Sequence, residues 1–487
     1  MGDVRDDGLI RRRATFGATL VVAIAPALLS TWRAHVQHWI PVADNALLAV
    51  SAVDATRGHP PLLGAESSSL EVLTKITPVH HLGPFEAYLL ALAHLFGHGP
   101  TPLLLAILLV NVASIVAVLL AARALGGTAG LLGAGLVVVS LGAALGVQVL
   151  GDIWNPYAPL FPLLAALLTL WAYLGVRWRP GLPIGLLAIS WCVQAHLTHL
   201  PILVAAAVPP LAFVIWDRRR ARSAEVETPT SEDAGEPVEP AIAQSRWRGV
   251  AGRVGRWVRT RPLTAASAAV AGLVWLPPIL AELGGGPSNV SNLVRATLHG
   301  THERPLGLGY AINTTARVLG GPPPFGPRPN VRAIWVVPLG VELTSAAWVA
   351  AIAIGCGAAI VVGRRRGDAA LTAIGSSLLG AMAMGLYLLE RSTFSSGAAI
   401  YQTRWLWVLV AAAWLGLGLV AARLLGPVAH RLRPPGRWLA AGLGVAVIGV
   451  AAIARLGFAG GPTERIGPSL ANEQRSTREV VAGIERR

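Results

Sequence analysis

Charge is what this chain has least of. Asp, Glu, Lys and Arg make up 13% of its 487 residues, against 54% hydrophobic, where a soluble globular domain carries about 25% charged residues. That deficit excludes an ordinary soluble globule and makes lipid the solvent to reason with. Cysteine is nearly absent too. Cys192 and Cys356 both fall inside apolar runs, so neither a disulfide framework nor a metal-type cysteine spacing exists. Lysine is reduced to Lys75, so almost all positive charge is arginine.

What is present is a series of apolar runs of membrane length. A bilayer core takes about 20 residues per helix. Eleven stretches qualify, at 14–32, 102–123, 128–150, 158–176, 183–199, 200–216, 263–282, 342–363, 369–389, 404–423 and 438–458. Every backbone amide inside such a span must be satisfied internally, so the spans are helices. The expected fold is an all-α polytopic membrane protein of about 11 transmembrane helices. Residues 1–30 read as an uncleaved anchor rather than a cleaved leader.

The arginines orient the chain. With Arg11 to Arg13 cytoplasmic, alternation through eleven spans places Arg177 with Arg179, Arg218 to Arg220, Arg364 to Arg366, and Arg431, Arg433 and Arg437 on the same side. The alternation requires the 13-residue run 85–97, FEAYLLALAHLFG, to lie in the interface instead of crossing. The carboxyl terminus is then external. The net charge of +15 follows from this orientation signal and from attraction to anionic headgroups, so a nucleic-acid partner is rejected.

The expected domains are an amino-terminal transmembrane block, 1–216, and a cytoplasmic linker, 217–262. A second transmembrane block, 263–458, and an external tail, 459–487, follow. The linker runs from basic to acidic and Pro-rich and back to basic, as disordered spacers do. Its second half places Trp247, Val250, Val254, Trp257 and Val258 at near-helical spacing, as a basic helix on the inner leaflet would. The two blocks show no internal repeat.

Polar residues gather in the loops on the external side. The first, 33–84, carries Asp44, Asn45, Asp54, His59, His80 and His81. A second holds Asp152 and Asn155, a third, 283–341, Arg295, and a fourth Arg391, Tyr401 and Arg404. Asp44 heads an amphipathic stretch in which it is either an N-cap or a carboxylate held at the membrane surface as a general base. On one helix, Asp44 and Asp54 would point about 80° apart. A carboxylate ringed by arginines at a membrane surface suits a lipid-phosphate substrate. The prenyl tail lies in the bilayer, the phosphate takes Arg donors, and an acceptor hydroxyl needs a base.

Alternatives exist for each candidate. His80 and His81 either position a sugar hydroxyl or phosphate or are ordinary headgroup-level residues. Zinc lacks a third spaced ligand. Asp152 and Asn155 either form a turn before Pro156 or stand beside Asp44. Arg404 either snorkels or contacts phosphate, with Arg391 and Arg295 next in order. His196 and His199 are read as packing.

The order of one span, an external loop opening with an aspartate, HPPLLG at 59–64 and HHLGPFEAYLLALAHLFG at 80–97 resembles the integral-membrane glycosyltransferases of the GT-C fold. The protein mannosyltransferase and aminoarabinose transferase branch and the actinobacterial polytopic sugar transferases are the nearest in pattern. GDIWNPYAPLFPLLAALLTLW at 151–171, and WLPPILAEL with PSNVSNLVR at 275–295, fit the same resemblance, which covers about the first 300 residues. It implies inverting transfer from a polyprenyl-phosphate sugar to a glycan, lipid or protein hydroxyl, with Asp44 alone carried over, as base or acceptor-orienting group; the loop residues themselves, apart from the resemblance, make Asp54, His59, His80, His81, Asp152, Asn155, Arg295, Arg391, Tyr401 and Arg404 the candidate substrate-binding groups. The implied location is the outer face of a bacterial cytoplasmic membrane, in keeping with an Arg-, Ala- and Gly-rich composition. Where that family often places a second acid, this chain has Asn45, which leaves an acidic-pair metal site without its residues; no cofactor is required. The rival class is a transporter or flippase of a lipid-linked precursor. Against it, the mid-span polar residues are few, Asn111, Gln148 and Gln194.

Overall fold

The computed structural model describes residues 3–67, 71, 74–76, 78–226, 262–284, 288–299, 303–320, 340–393 and 403–429. Among the described residues, helices account for the architecture, and seven of them are long and apolar enough to cross a membrane. The chain is an all-α, multi-pass membrane protein.

The first long helix, α1 (Asp3–Val36), is followed by α2 (Asp44–Thr56) and α3 (Phe85–His94). At ten residues, α3 is about 15 Å long and cannot cross. It packs on α2, as an interfacial element does. Next comes α4 (Pro100–Leu145), 46 residues that include two expected spans. Its helical course breaks at Gly126 and Gly127, where Gly127 takes φ 61°, ψ −141°, a conformation closed to residues with a Cβ. The chain reverses there, because Gly130 lies against the Ala122 carbonyl eight residues back, closer than any Cβ would allow. The returning half runs parallel to α1, with Gly135 against Thr19 and Gly142 against Pro26.

A short α5 (Val147–Gly151) leads to two shorter apolar helices, α6 (Leu160–Val176) and α7 (Gly181–Ala195). α8 (His199–Val226) carries the helix on past the 217 boundary expected for the linker, with exposed arginines on its extension. After it come α9 (Pro262–Leu283), α10 (Asn289–His299), α11 (Gly307–Gly320), α12 (Leu343–Arg366), α13 (Ala369–Arg391) and α14 (Trp405–Ala429). The rest of the linker, the last expected span at 438–458 and the tail lie outside the described residues.

One core joins the front and rear helices. Phe161 and Trp171 of α6 are buried with Ile374 and Leu378 of α13 and Trp405 and Leu409 of α14. Gly416 lets α14 approach Trp171 and Leu378 closely. In lipid such contacts come from close van der Waals packing over small residues, since lipid tails are as apolar as leucine.

The two ends of this bundle differ. At one, Arg364 Nη1 donates to both carboxylate oxygens of Asp217 at 2.7 Å, joining α12 to α8. Asp368 caps α13 by accepting from the amides of Ala370 and Leu371. Arg423 Nε donates to Asp368 Oδ2 at 3.0 Å, and its Nη1 to the Leu125 carbonyl at 2.7 Å. Gly175 packs on Ala370, bringing the end of α6, and Arg177 after it, to the same face. The expected arginine clusters of α6, α8 and α12 thus share one end. The helix ends at residues 36, 151, 160 and 195 point to the other.

Candidate functional site

At the end opposite the arginines, the loop between α1 and α4 folds over the starts of α6 and α8. The segment 64–67 pairs backbone to backbone with 79–81: Gly64 N donates to His81 O, His81 N to Ala65 O, and Ser67 N to Val79 O, at 2.7 to 3.1 Å. α10 locks this pairing. Asn289 accepts from His80 N at 2.9 Å and donates to His80 O, while Asn292 donates to Pro78 O at 2.8 Å. The buried asparagines lie opposite Val290, Val294 and Leu298, which are exposed, so α10 has one face on the loop and an apolar face outward. α2 likewise turns Leu47 and Val50 outward. Both have the amphipathic design of helices lying along a membrane surface.

Asp44 is not an N-cap. The cap position is Ala43, held at φ 50°, ψ −127°, where a residue with a Cβ is strained. Asp44 is the first helical residue, is exposed, and accepts a hydrogen bond on Oδ2 from the indole Nε1 of Trp154 at 3.0 Å. Its neighbour Asn45 is buried and donates from Nδ2 to Asp152 Oδ1 at 2.6 Å. The backbone amide of Trp154 donates to the same Asp152 oxygen at 3.1 Å. Two consecutive residues of α2 therefore grip two residues of the 152–154 turn, across 107 and 110 residues of sequence.

Asp152 is enclosed by these bonds and by its surroundings. Burial raises its pKa to about 6, against the lowering effect of its bonds from Trp154, Asn45 and Ile153. That value lies in the range where a carboxylate exchanges protons near neutrality.

Beside this network is a small cleft, with about 20 Å³ of free space, whose wall includes Leu48 and Ser51 of α2, Glu86 of α3, Asn155 and Gln194. Glu86 is 4% exposed, and its Oε1 has no hydrogen-bond partner among the described residues. Burial, and secondarily the Asp152 charge, pushes its carboxyl well above the usual carboxylate range. Gln194, fully buried, fixes the start of α3: Oε1 accepts from Phe85 N at 3.2 Å and Nε2 donates to Val274 O of α9 at 3.1 Å. Gly83 lies so close to the Gln194 amide that no Cβ fits between them.

The histidines separate into two roles. His80 has its backbone clasped by Asn289, and its Nδ1 lies 3.2 Å from Gly64 O. His81 is buried and stacks on His196, ring centroids 5.2 Å apart, and His196 lies 5.7 Å from His199. Burial first, then the neighbouring His196, His199 and His80, hold His81 well below its ordinary pKa. This neutral stack fastens the loop to the α7–α8 turn. Among the described residues, no group of three or more His, Cys, Asp or Glu is arranged to hold a metal ion.

Of the other expected residues, Asn155 lines the cleft, whereas Asp54 is half-buried near the end of α2 and accepts the His59 amide on its backbone carbonyl. His59 is exposed. Arg295 donates to Asn292 Oδ1 at 2.6 Å. Arg391 is exposed and engaged on its own helix, with Glu390 at 3.2 Å and over the Tyr387 ring. Arg404 is 3% exposed and lies over the Trp407 ring, at the same bundle end as the aspartates. Tyr401 is outside the described residues.

Glu86, Gln194, Trp154 and the Asn289–Asn292 clasp are absent from the sequence-based site. One local signal pointed to Glu86: it is the one acid in an otherwise apolar ten-residue helix. No family model, curated protein or solved structure matches this chain.

Proposed function

We propose that the protein is a glycosyltransferase that moves a sugar from a polyprenyl-phosphate donor to an acceptor hydroxyl at the outer face of a bacterial cytoplasmic membrane, in the manner of the GT-C enzymes. The observation that carries this reading is the Asp44–Trp154–Asp152–Asn45 network, in which an exposed and an enclosed aspartate are joined through Trp154 and Asn45 at the arginine-poor end of the bundle.

Asp44 is the general base. It is exposed, so an acceptor hydroxyl can reach it, and the Trp154 indole fixes the direction of its carboxylate. As Asp44 takes the hydroxyl proton, the acceptor oxygen bonds to the anomeric carbon of the donor. The bond from that carbon to the phosphate oxygen breaks, and polyprenyl phosphate leaves with the electron pair, inverting the centre. Asp152 is a positioning residue: through Trp154 and Asn45 it holds α2 and the 152–154 turn in register. Arg404, with Arg391 and Arg295, supplies the cationic groups for the lipid phosphate. The acceptor is a glycan, lipid or protein hydroxyl.

A transporter would distribute buried ionisable groups along a path through the bilayer. Here Glu86, Asp152, His81 and His196 are gathered at one end, which favours chemistry at a surface. The test uses purified protein in lipid nanodiscs with polyprenyl-phosphate sugars and candidate acceptors, reading released polyprenyl phosphate. The wild type is expected to release it and a folded Asp44→Asn variant to lose at least about a hundredfold in rate, the size of a general-base contribution. Equal release by both would remove Asp44 from the mechanism. No release by the wild type, with donor shown to bind, would favour the flippase.

A further inference from the structure

We propose that the row of rings His81, His196 and His199 is an acid-released latch, in which a proton on the row unfastens the 64–81 segment from the α7–α8 turn and loosens the wall of the cleft beside Glu86. The latch belongs to the loop and not to the reaction, so it does not depend on the glycosyl-transfer reading.

Three imidazoles stand in line. The ring centroids of His81 and His196 are 5.2 Å apart with 32° between the planes, and those of His196 and His199 are 5.7 Å apart at 78°. His199 Nδ1 lies 3.2 Å from the His196 carbonyl, which can only accept, so the proton of the neutral ring belongs on Nδ1 and Nε2 is left as the acceptor. That Nε2, with Nδ1 of His81 and Nδ1 of His196, is buried and has no hydrogen-bond partner among the described residues. A proton arriving there makes a cation with another imidazole beside it. The charged groups on the elements round the row are committed or turned away: Glu66 is exposed, Glu71 accepts from Val79 N, Glu86 acts on Asp152, Glu282 holds Ser288 and Val290, Glu390 pairs with Arg391, and Arg295 donates to Asn292. His80, the other titratable neighbour, opposes a charge on His81. An enclosed charge without a partner is costly, so the row holds only while it is neutral.

The segment has two fastenings, and only one of them titrates. α10 holds it through the amides of Asn289 and Asn292, which neither gain nor lose a proton. The rings hold it on the side of the α7–α8 turn. Loss of the second fastening leaves the segment pivoting on the first, and the movement reaches the cleft, because Gly64 and Ala65 pair with His81 through the backbone and themselves line the cleft. Gly64 also lies so close to His81 Cβ that no Cβ of its own would fit, so the two shift together. The direction follows from His81, whose pKa is held well below its ordinary 6.5 by burial and then by the neighbouring histidines. The fastened segment therefore binds fewer protons than the released one. Its stability is fully present above about pH 6.5 and is lost as pH falls from there toward the depressed value.

The experiment is hydrogen–deuterium exchange of the intact protein in nanodiscs, read by mass spectrometry across the acid range and corrected for the pH dependence of the chemical exchange step. In wild type, exchange in peptides covering 64–81 is expected to rise at least about tenfold between about pH 7 and about pH 5, the response of a single proton over one pH unit. Peptides from the cores of α6 and α13 should keep their protection throughout. His81→Phe and His196→Phe each retain a ring in the row and remove a titrating group, so either should leave exchange of the segment nearly flat with pH. Should one of them lose protection in the core helices, the other decides. His80→Gln should keep the wild-type response, because its ring lies outside the row. Exchange of 64–81 that does not change with pH in wild type overturns the latch. So does a response that persists in a folded His81→Phe or His196→Phe variant, and so does one that disappears only in His80→Gln. No step of this test requires turnover, so failure of the transferase reading would leave its result standing.

Discussion

The two ends of the helical bundle handle polar groups in opposite ways. At the arginine-rich end, Arg364 meets both oxygens of Asp217, and Arg423 meets Asp368 and the Leu125 carbonyl while Asp368 still caps α13. At the other end, Asn45 Oδ1, His81 Nδ1 and Glu86 Oε1 are buried without a hydrogen-bond partner among the described residues. Native proteins satisfy nearly all buried polar atoms, so a cluster of exceptions asks for an explanation. The difference teaches that the first end is built for cohesion and the second to receive something. Substitutions should then separate cleanly, those at the arginine end changing stability and those at the open end changing rate.

The largest effect is expected at the open end. Asp152→Asn should reduce transfer about a hundredfold, and the comparison of pH profiles is decisive. With its pKa raised to about 6, ionised Asp152 keeps the grip on Trp154 and Asn45, so wild-type rate should climb with pH up to about 6 and then level. The variant should show no such limb. Stability moves the other way. A carboxyl whose folded pKa is raised favours the protonated state, so its contribution is present below the ordinary value of 3.8 and is lost as pH rises through about 6. Opposite slopes of rate and melting temperature over that window in wild type, both abolished in the variant, are the expected outcome.

Next is the cohesive end. Arg423→Met removes a bidentate pair and a bond to a backbone carbonyl, all partly shielded from solvent. Unfolding in nanodiscs should become easier by about 2 kcal/mol, with the rate per folded molecule unchanged. A fall in rate per folded molecule would break the division between the two ends. Trp154→Phe keeps a ring against Tyr157 but loses the indole bond to Asp44; about a fivefold fall in rate follows from one hydrogen bond of about 1 kcal/mol, with little change in melting. Smallest is Asp217→Asn, at a pair whose carboxylate is 56% exposed. Surface pairs contribute about 0–1 kcal/mol, so both melting and rate should stay close to wild type.

Much of the fold was legible because its physics is local. Among the described residues, seven helices at the expected runs are long and apolar enough to cross, one of them holding the two runs 102–123 and 128–150, while the runs 158–176 and 183–199 form shorter apolar helices; the gap between 123 and 128 anticipated the reversal at Gly126 and Gly127. The shortness of 85–97 anticipated a helix that does not cross. The site was legible only in part. Asp44, Asp152 and Asn155 were identified as loop polar residues, but the bonds that join the start of α2 to the 152–154 turn cross 107 and 110 residues of sequence that no periodicity records. Asn45 looked like a departure from an acidic pair, yet its amide is what reaches Asp152, a role that follows from tertiary position alone. Glu86 sat inside a run whose apolar pattern pointed to the interface, and only packing on Gln194 shows its carboxyl to be enclosed. His81 was placed at headgroup level because adjacent histidines carry no local signal of the His196 ring that covers one of them.

The bond from Arg423 to the Leu125 carbonyl ties together residues 298 positions apart, and translation makes them in that order. At about 5–20 residues per second, the front hairpin leaves the ribosome roughly 15–60 s before the arginine that completes its turn. During that interval the reversal at Gly126 and Gly127 stands without its brace, and the membrane insertion machinery holds a half-built bundle. The last helices are thus more than additional spans: their arrival is the step that closes assembly.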